Sequence, residues 1–157
     1  MTVLRLITFS AAACIVLSSL VSGQDQEKKI KRSQLPPAVE KAVVEQSQGA
    51  TIRGFSQEKE KGQTFYEAEL LANGHSKDVL MDKNGKVVEV EEQVPLESLS
   101  PEVRDGLHAR APKGKLVQVE SLTKGGKLVA YEAQVLTNGK RSEIQVGPDG
   151  KPLAHEE

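Results

Sequence analysis

The 157-residue chain has no tryptophan, two tyrosines, three phenylalanines and one cysteine. A single cysteine excludes an intrachain disulfide framework, so a small exported domain of this sequence must be held by packing alone. Few aromatics leave few of the side chains that usually anchor protein interfaces. Charge of one sign is lacking too: 21 Lys and Arg stand against 22 Asp and Glu, for a net charge of −1. That balance excludes bulk attraction to nucleic acid or to an anionic membrane, so any electrostatic role must be local. A reactive constellation is also missing. His75, His108 and His155 share no metal-ligand spacing. No serine stands in a nucleophile elbow, and Gly125-Gly126 is not followed by the helix a phosphate loop needs. Asp82-Lys83-Asn84-Gly85 resembles part of a calcium loop, but Leu80 occupies a position where a ligand belongs. The chain is therefore expected to be no enzyme, with no catalytic residues, no cofactor and no metal site.

Long apolar runs are absent except at the start. Arg5 lies in a short basic segment, Leu6 to Val21 carry no charge, and Val21-Ser22-Gly23 supplies small residues before the polar Gln24-Asp25-Gln26-Glu27. This is the pattern of a secretory signal peptide over residues 1–23, followed by a polar linker over 24–33. The run is shorter than the roughly 20 residues of a spanning helix, so no stable membrane span is expected in the mature form. Ala11-Ala12-Ala13-Cys14 resembles a lipoprotein cleavage site, but the apolar Ile15-Val16-Leu17 that follows favours loss of Cys14 with the leader. The expected location is periplasmic or secreted.

The remainder is internally similar. Tyr66-Glu67-Ala68 recurs as Tyr131-Glu132-Ala133, Asn73-Gly74 as Asn138-Gly139, and Asn84-Gly85-Lys86 as Asp149-Gly150-Lys151, all at a spacing of 65 residues. Each copy opens on a helix signal, Ser100-Pro101-Glu102 in the second and Pro36-Pro37 in the first. Val39, Ala42 and Val43, and then Val103 and Leu107, follow helical spacing, while Gly106 weakens the second helix. Alternating segments punctuated by turn dipeptides then read as strands. Two-residue turns at Asn73-Gly74 and Asn84-Gly85 pair Ala68 with Val79, Tyr66 with Met81, Met81 with Val88 and Val79 with Val90. A hairpin centred near Glu60 pairs Ile52 with Ala68. In the second copy Ala133 meets Ile144, Tyr131 meets Val146, and Val146 meets Leu153. The expected fold class is α+β: two tandem units, each a helix packed on a four-stranded antiparallel sheet, over residues 34–94 and 98–157, joined through Glu91 to Ser98.

In order, Leu35-Pro36-Pro37-Ala38-Val39, Gly49-Ala50-Thr51-Ile52, Phe65-Tyr66-Glu67-Ala68-Glu69 and Asp82-Lys83-Asn84-Gly85-Lys86-Val87 resemble the bacterial PepSY-like proteins, also described as beta-lactamase-inhibitor-like. The resemblance spans both copies. It implies an exported, non-catalytic domain, with protease inhibition or partner binding proposed for the wider group.

That register also defines a candidate partner-binding face on the side of the first sheet away from its helix. It sets Phe55 opposite Phe65, Glu69 opposite Asp78, and Glu67 opposite Leu80. The equivalent positions of the second copy read Glu120, Ala130, Gln134, Glu143 and Glu132. Like charges directly opposed across strands cost stability, and an aromatic centre with acidic surroundings favours a basic protein partner. The functional expectation is an exported non-catalytic binding module, an inhibitor or modulator of an envelope or secreted enzyme. The alternative is a cation-responsive or structural envelope protein using the same acidic face.

Overall fold

The computed structural model describes residues 27–60 and 62–157; the expected leader over 1–23 lies outside the described residues. Strand β1 (Lys28–Lys29) and a 3-10 turn (Arg32–Gln34) lead into helix α1 (Pro37–Gln46). Strands β2 (Ala50–Glu60), β3 (Gln63–Ala72), β4 (His75–Asp82) and β5 (Val87–Gln93) follow, then a second 3-10 turn (Leu96–Ser98) and helix α2 (Pro101–Arg110). The chain continues through β6 (Lys115–Lys124), β7 (Lys127–Thr137) and β8 (Lys140–Val146).

The two helices are where the sequence places them. Ser100 caps α2 by accepting a bond from the Val103 amide at 3.3 Å, and Pro101 fills a first-turn position whose amide needs no partner. In α1 the proline pair substitutes for a side-chain cap, and Gly49 at φ +76° turns the chain into β2.

The sheet overturns the expectation of two four-stranded units. All eight strands form one antiparallel sheet in sequence order. Strand β5 is not an edge: Val90 pairs with Thr123, Glu92 with Ser121 and Gln93 with Glu120 of β6. Glu91 to Gln93, assigned from the sequence to the connection, therefore belong to a central strand. Part of the expected polar linker is likewise sheet, since Lys28 and Lys29 pair with Gln57 and Ser56. At the far end no strand follows β8. Gly147 donates its amide to the Lys151 carbonyl at 2.8 Å, which closes a turn, but among the described residues the chain beyond it forms no strand. The expected pairing of Val146 with Leu153 does not form.

Both helices lie on one face of this sheet, over separate apolar clusters. Val39, Ala42 and Val43 of α1 meet Phe55, Ala68, Leu70, Val79 and Met81. Val103 and Leu107 of α2, with Leu99, meet Val119, Ala133 and Val146. Tyr66 and Tyr131 occupy matching positions at the margins of these clusters and are partly, not fully, buried.

Most registers hold. Tyr66 faces Met81, Ala68 faces Val79, Val79 faces Val90, Ala133 faces Ile144 and Tyr131 faces Val146. Asn73 at φ 52° and Asn138 at φ 51°, each followed by a glycine at positive φ, are two-residue hairpin turns as expected. Asn84 is not among the residues with positive φ. There the Asp82 carboxylate accepts bonds from the amides of Asn84 at 2.8 Å and Lys86 at 3.0 Å, and a bulge sets Val87, not Val88, opposite Met81. In β2 a bulge between Ile52 and Gly54 pairs Ile52 with Leu70 and Phe55 with Ala68.

Two glycine turns carry the helices. A Cβ built on Gly85 would lie 2.3 Å from the Ala38 carbonyl oxygen, and one on Gly150 would lie 2.1 Å from that of Glu102. Helix α2 completes its contact with a glycine of its own, for a Cβ on Gly106 would lie 2.0 Å from the Gly150 carbonyl oxygen. Helix propensity alone would make Gly106→Ala stabilising by about 1 kcal/mol. Against a backbone atom that cannot swing away, overpacking at the upper end of its usual range of about 1–3 kcal/mol wins. The expected outcome is a net loss of roughly 2 kcal/mol in urea unfolding; a more stable variant would show that the helix and turn can separate freely.

Candidate partner-binding face

Side chains directly opposite across a ladder share a face, so the registers sort the candidates without ambiguity. Glu67, Glu69 and Asp78 lie on the helix-free face, where the sequence places them: Glu69 is opposite Asp78 and Glu67 opposite Leu80. Phe65 lies there too, opposite Glu58 and Asp82. Phe55 does not. The bulge at Arg53 turns it to the helix face, where it is 7% exposed in the α1 cluster. The expected Phe55–Phe65 pair is therefore absent, and the face has no aromatic centre. Glycine inside a strand often marks such a bulge, and Gly54 was the available sign. The bulge brings Gly54 opposite Glu69, whose carboxylate would lie 3.2 Å from an added Cβ.

What the face has instead is carboxylates, running across nearly the whole sheet. Glu58 and Glu67 are followed by Glu69, Asp78 and Glu91 along adjacent strands, with Glu89 beside them. The run continues through Glu120, Glu132 and Glu143 on β6 to β8. The second half of this set matches the positions read from the repeat. Its continuity with the first half was not visible, because it depends on the β5–β6 ladder. Cations on this face are few. Lys29, brought over by β1, pairs with Glu69 and with Glu27, and Lys124 lies 3.4 Å from Glu89 and 3.9 Å from Glu157.

Neutral donors satisfy several of these acids. The fully buried Ser56 hydroxyl donates to Glu67 at 2.5 Å. Gln118 and Ser76 donate to Glu120 at 2.8 and 3.2 Å, and Gln145 donates to Glu132 at 2.8 Å. Leu122 and Ala130, opposite one another on the same face, are almost wholly buried. The last residues fold back over this region, for the Glu157 amide donates to the Gln145 side chain at 2.9 Å.

Crowding of like charge away from water raises proton affinity. Burial, then the neighbouring Glu67 carboxylate, pushes Glu58 and Asp78 up to about 7. Burial and then Glu132 push Glu91 up to about 9. Burial, opposed by the Gln145 bond and reinforced by Glu143, pushes Glu132 up to about 7. Glu67 and Glu143 are raised by the same cause. Among the described residues, no three His, Cys, Asp or Glu side chains form a group that could hold a metal ion, and no helix is long and apolar enough to cross a membrane.

Comparison with known proteins bears on the fold. No family model matches the chain, and no curated protein matches it either. Solved structures do. A DUF2874 family protein from Bacteroides ovatus is 18% identical, with a TM-score of 0.60 over 76% of this chain and 84% of that one. A protein ascribed to the periplasm of Bacteroides eggerthii is 18% identical, with a TM-score of 0.63 over 76% and 86%. A BLIP-like protein from Bacteroides fragilis is 23% identical, with a TM-score of 0.56 over 78% and 86%. The chain thus has the fold of the BLIP-like and DUF2874 proteins.

Two outcomes follow. Phe55→Ala should cost about 3–5 kcal/mol by emptying core volume, whereas Phe65→Ser on the half-exposed face should cost under about 1 kcal/mol; comparable losses in thermal unfolding would mean the bulge is misplaced. The second concerns pH. A carboxylate whose folded pKa exceeds its unfolded value holds its proton longer in the folded state, so stability falls as pH rises between the two values. For Glu58, Asp78 and Glu132 that window runs from the ordinary carboxylate range up to about 7, and for Glu91 up to about 9. Urea midpoints should be higher at pH 5 than at pH 8, and Asp78→Asn should raise the midpoint at pH 8 and flatten the slope. A midpoint that rises with pH would contradict the burial of these groups.

Proposed function

We propose that this chain is an exported, non-catalytic binding module that presents its helix-free face to a basic protein partner in the periplasm. The observation that carries this reading is the crowding of half-buried carboxylates on one sheet face with few cations among them. Folding pays an electrostatic cost to keep them there, and a partner rich in lysine and arginine would recover it. The leader-like start of the sequence and the periplasmic ascription of a structural neighbour support the location. The likeness to a BLIP-like protein supports protein binding, and with it the narrower reading of an inhibitor or modulator of an envelope enzyme. The PepSY-like resemblance and the repeated sequence landmarks belong to this same reading: one binding surface assembled from two similar stretches. Loss of Phe55 from the face shifts the weight of recognition from an aromatic anchor to charge.

Uptake of divalent cations by the same acids is the second reading. It would draw on the raised carboxylate pKa values, but the side chains are spread along the sheet in place of converging on one point.

Reversal of Glu69 and Glu89 to lysine should weaken capture of a lysine-rich probe peptide by about tenfold at low salt and flatten its salt dependence. The same variant should lose partners that the wild-type chain draws from an envelope fraction. Unchanged capture by a variant that melts normally would place binding elsewhere. A calorimetric response to calcium or magnesium that the peptide does not compete with would favour the second reading.

A further inference from the structure

We propose that the chain associates with a second copy of itself along β8, antiparallel and centred on Ser142, so that the two sheets become one across a two-fold axis. Strand β8 ends the sheet. The Asn138-Gly139 turn pairs Thr137 with Lys140, which fixes the alternation of the strand beyond it. Lys140, Ser142, Ile144 and Val146 direct their backbone groups to β7, and Arg141, Glu143 and Gln145 direct theirs outward. Gly147, next in the outward series, does find a partner in the Lys151 carbonyl, which verifies the alternation and marks where the covered part of the edge begins. Residues 140–143 are exposed.

An open edge is a template for another strand, and proteins commonly guard it with charge. Lys140 and Arg141 could act as such guards, but the pattern here is self-complementary. Arg141 and Glu143 are two residues apart and share the helix-free face, as Arg141 is opposite Leu136 and Glu143 opposite Gln134. Pairing centred on Ser142 sets Arg141 of each copy opposite Glu143 of the other, giving two symmetry-related ion pairs from one interface. Pairing centred on Glu143 would oppose two glutamates, and pairing centred on Arg141 would oppose two arginines. One register alone has complementary charges. The groups are available for it. Arg141 donates through one nitrogen to Gln134 Oε1 at 3.0 Å, leaving other N–H groups of its guanidinium. The charges that bear on Glu143 are the carboxylates of Glu120 and Glu156, which a facing arginine would offset.

A single strand ladder buries less than the roughly 1,200 Å² of a standard interface, so the association is expected to be weak and reversible. It does not rest on the basic-partner reading, because it uses the backbone edge and leaves most of the acidic face free. Sedimentation equilibrium of the exported protein from micromolar to millimolar concentration tests it, with each variant melted in parallel. The expected result is a monomer–dimer equilibrium weakened about tenfold by Arg141→Glu and by Glu143→Arg, and restored in the double variant that carries both. Should a reversal impair folding, Glu143→Gln should weaken association in the same direction to a smaller degree. Monomers throughout the range, a dimer indifferent to the single changes, or a failure of the folded double variant to restore association would each overturn the proposal.

Discussion

The β5–β6 ladder is the interaction on which the rest of the architecture depends. Each half of the chain has its own helix and its own apolar cluster, and each could be imagined as a small domain of marginal stability. Five residue pairs, from Glu89–Lys124 to Gln93–Glu120, instead run the backbone bonding straight through. Two sheet edges vanish at once, and the helices come to lie on the same side of a single surface. The opposite surface is then as wide as the whole sheet, and acids drawn from both halves lie on it together.

That surface is built against the usual economy of a sheet. Ordinarily carboxylates on a solvated face alternate with lysine across strands. Here Glu69 faces Asp78 and Glu120 faces Glu132. Lys29 answers Glu69 and Lys124 answers Glu89, but serine and glutamine answer others, through Ser56 to Glu67, Gln118 to Glu120 and Gln145 to Glu132. Neutral donors fix the positions of the oxygens without cancelling their charge. The geometry of the face is thereby set by uncharged partners, as the proposed recognition of cationic side chains would require.

How far the sequence could be read depended on the reach of each signal. Turn chemistry is local, so Asn73-Gly74 and Asn138-Gly139 revealed both their hairpins and the faces of the strands beside them. The same logic misread Asn84-Gly85, because the Asp82 carboxylate competes for the amides of Asn84 and Lys86 and creates a different turn. The bulge at Arg53 moved Phe55 into the core and set Ile52 opposite Leu70 in place of Ala68, yet left Ile52 on its expected face, so apolar alternation gave no warning and only Gly54 marked the place. Glu67, Glu69 and Asp78 could be assigned to the open face from hairpin registers alone. Joining them to Glu120, Glu132 and Glu143 required a pairing between strands separated by a helix, and no residue pattern in β5 specifies its second neighbour.

Strand order equal to chain order also has a kinetic meaning. Five of the seven ladders are hairpins closed by turns of a few residues, and only β1–β2 and β5–β6 must bridge a helix. Short closures cost little chain entropy, so the hairpins can form early and independently, while the two bridging ladders wait on longer loops. The step that makes the surface continuous is thus also a late one to assemble. The interval before it would leave the edges of β5 and β6 unpaired, and the side chains of Glu89 and Lys124 at that seam are well placed to discourage wrong neighbours until the right one arrives.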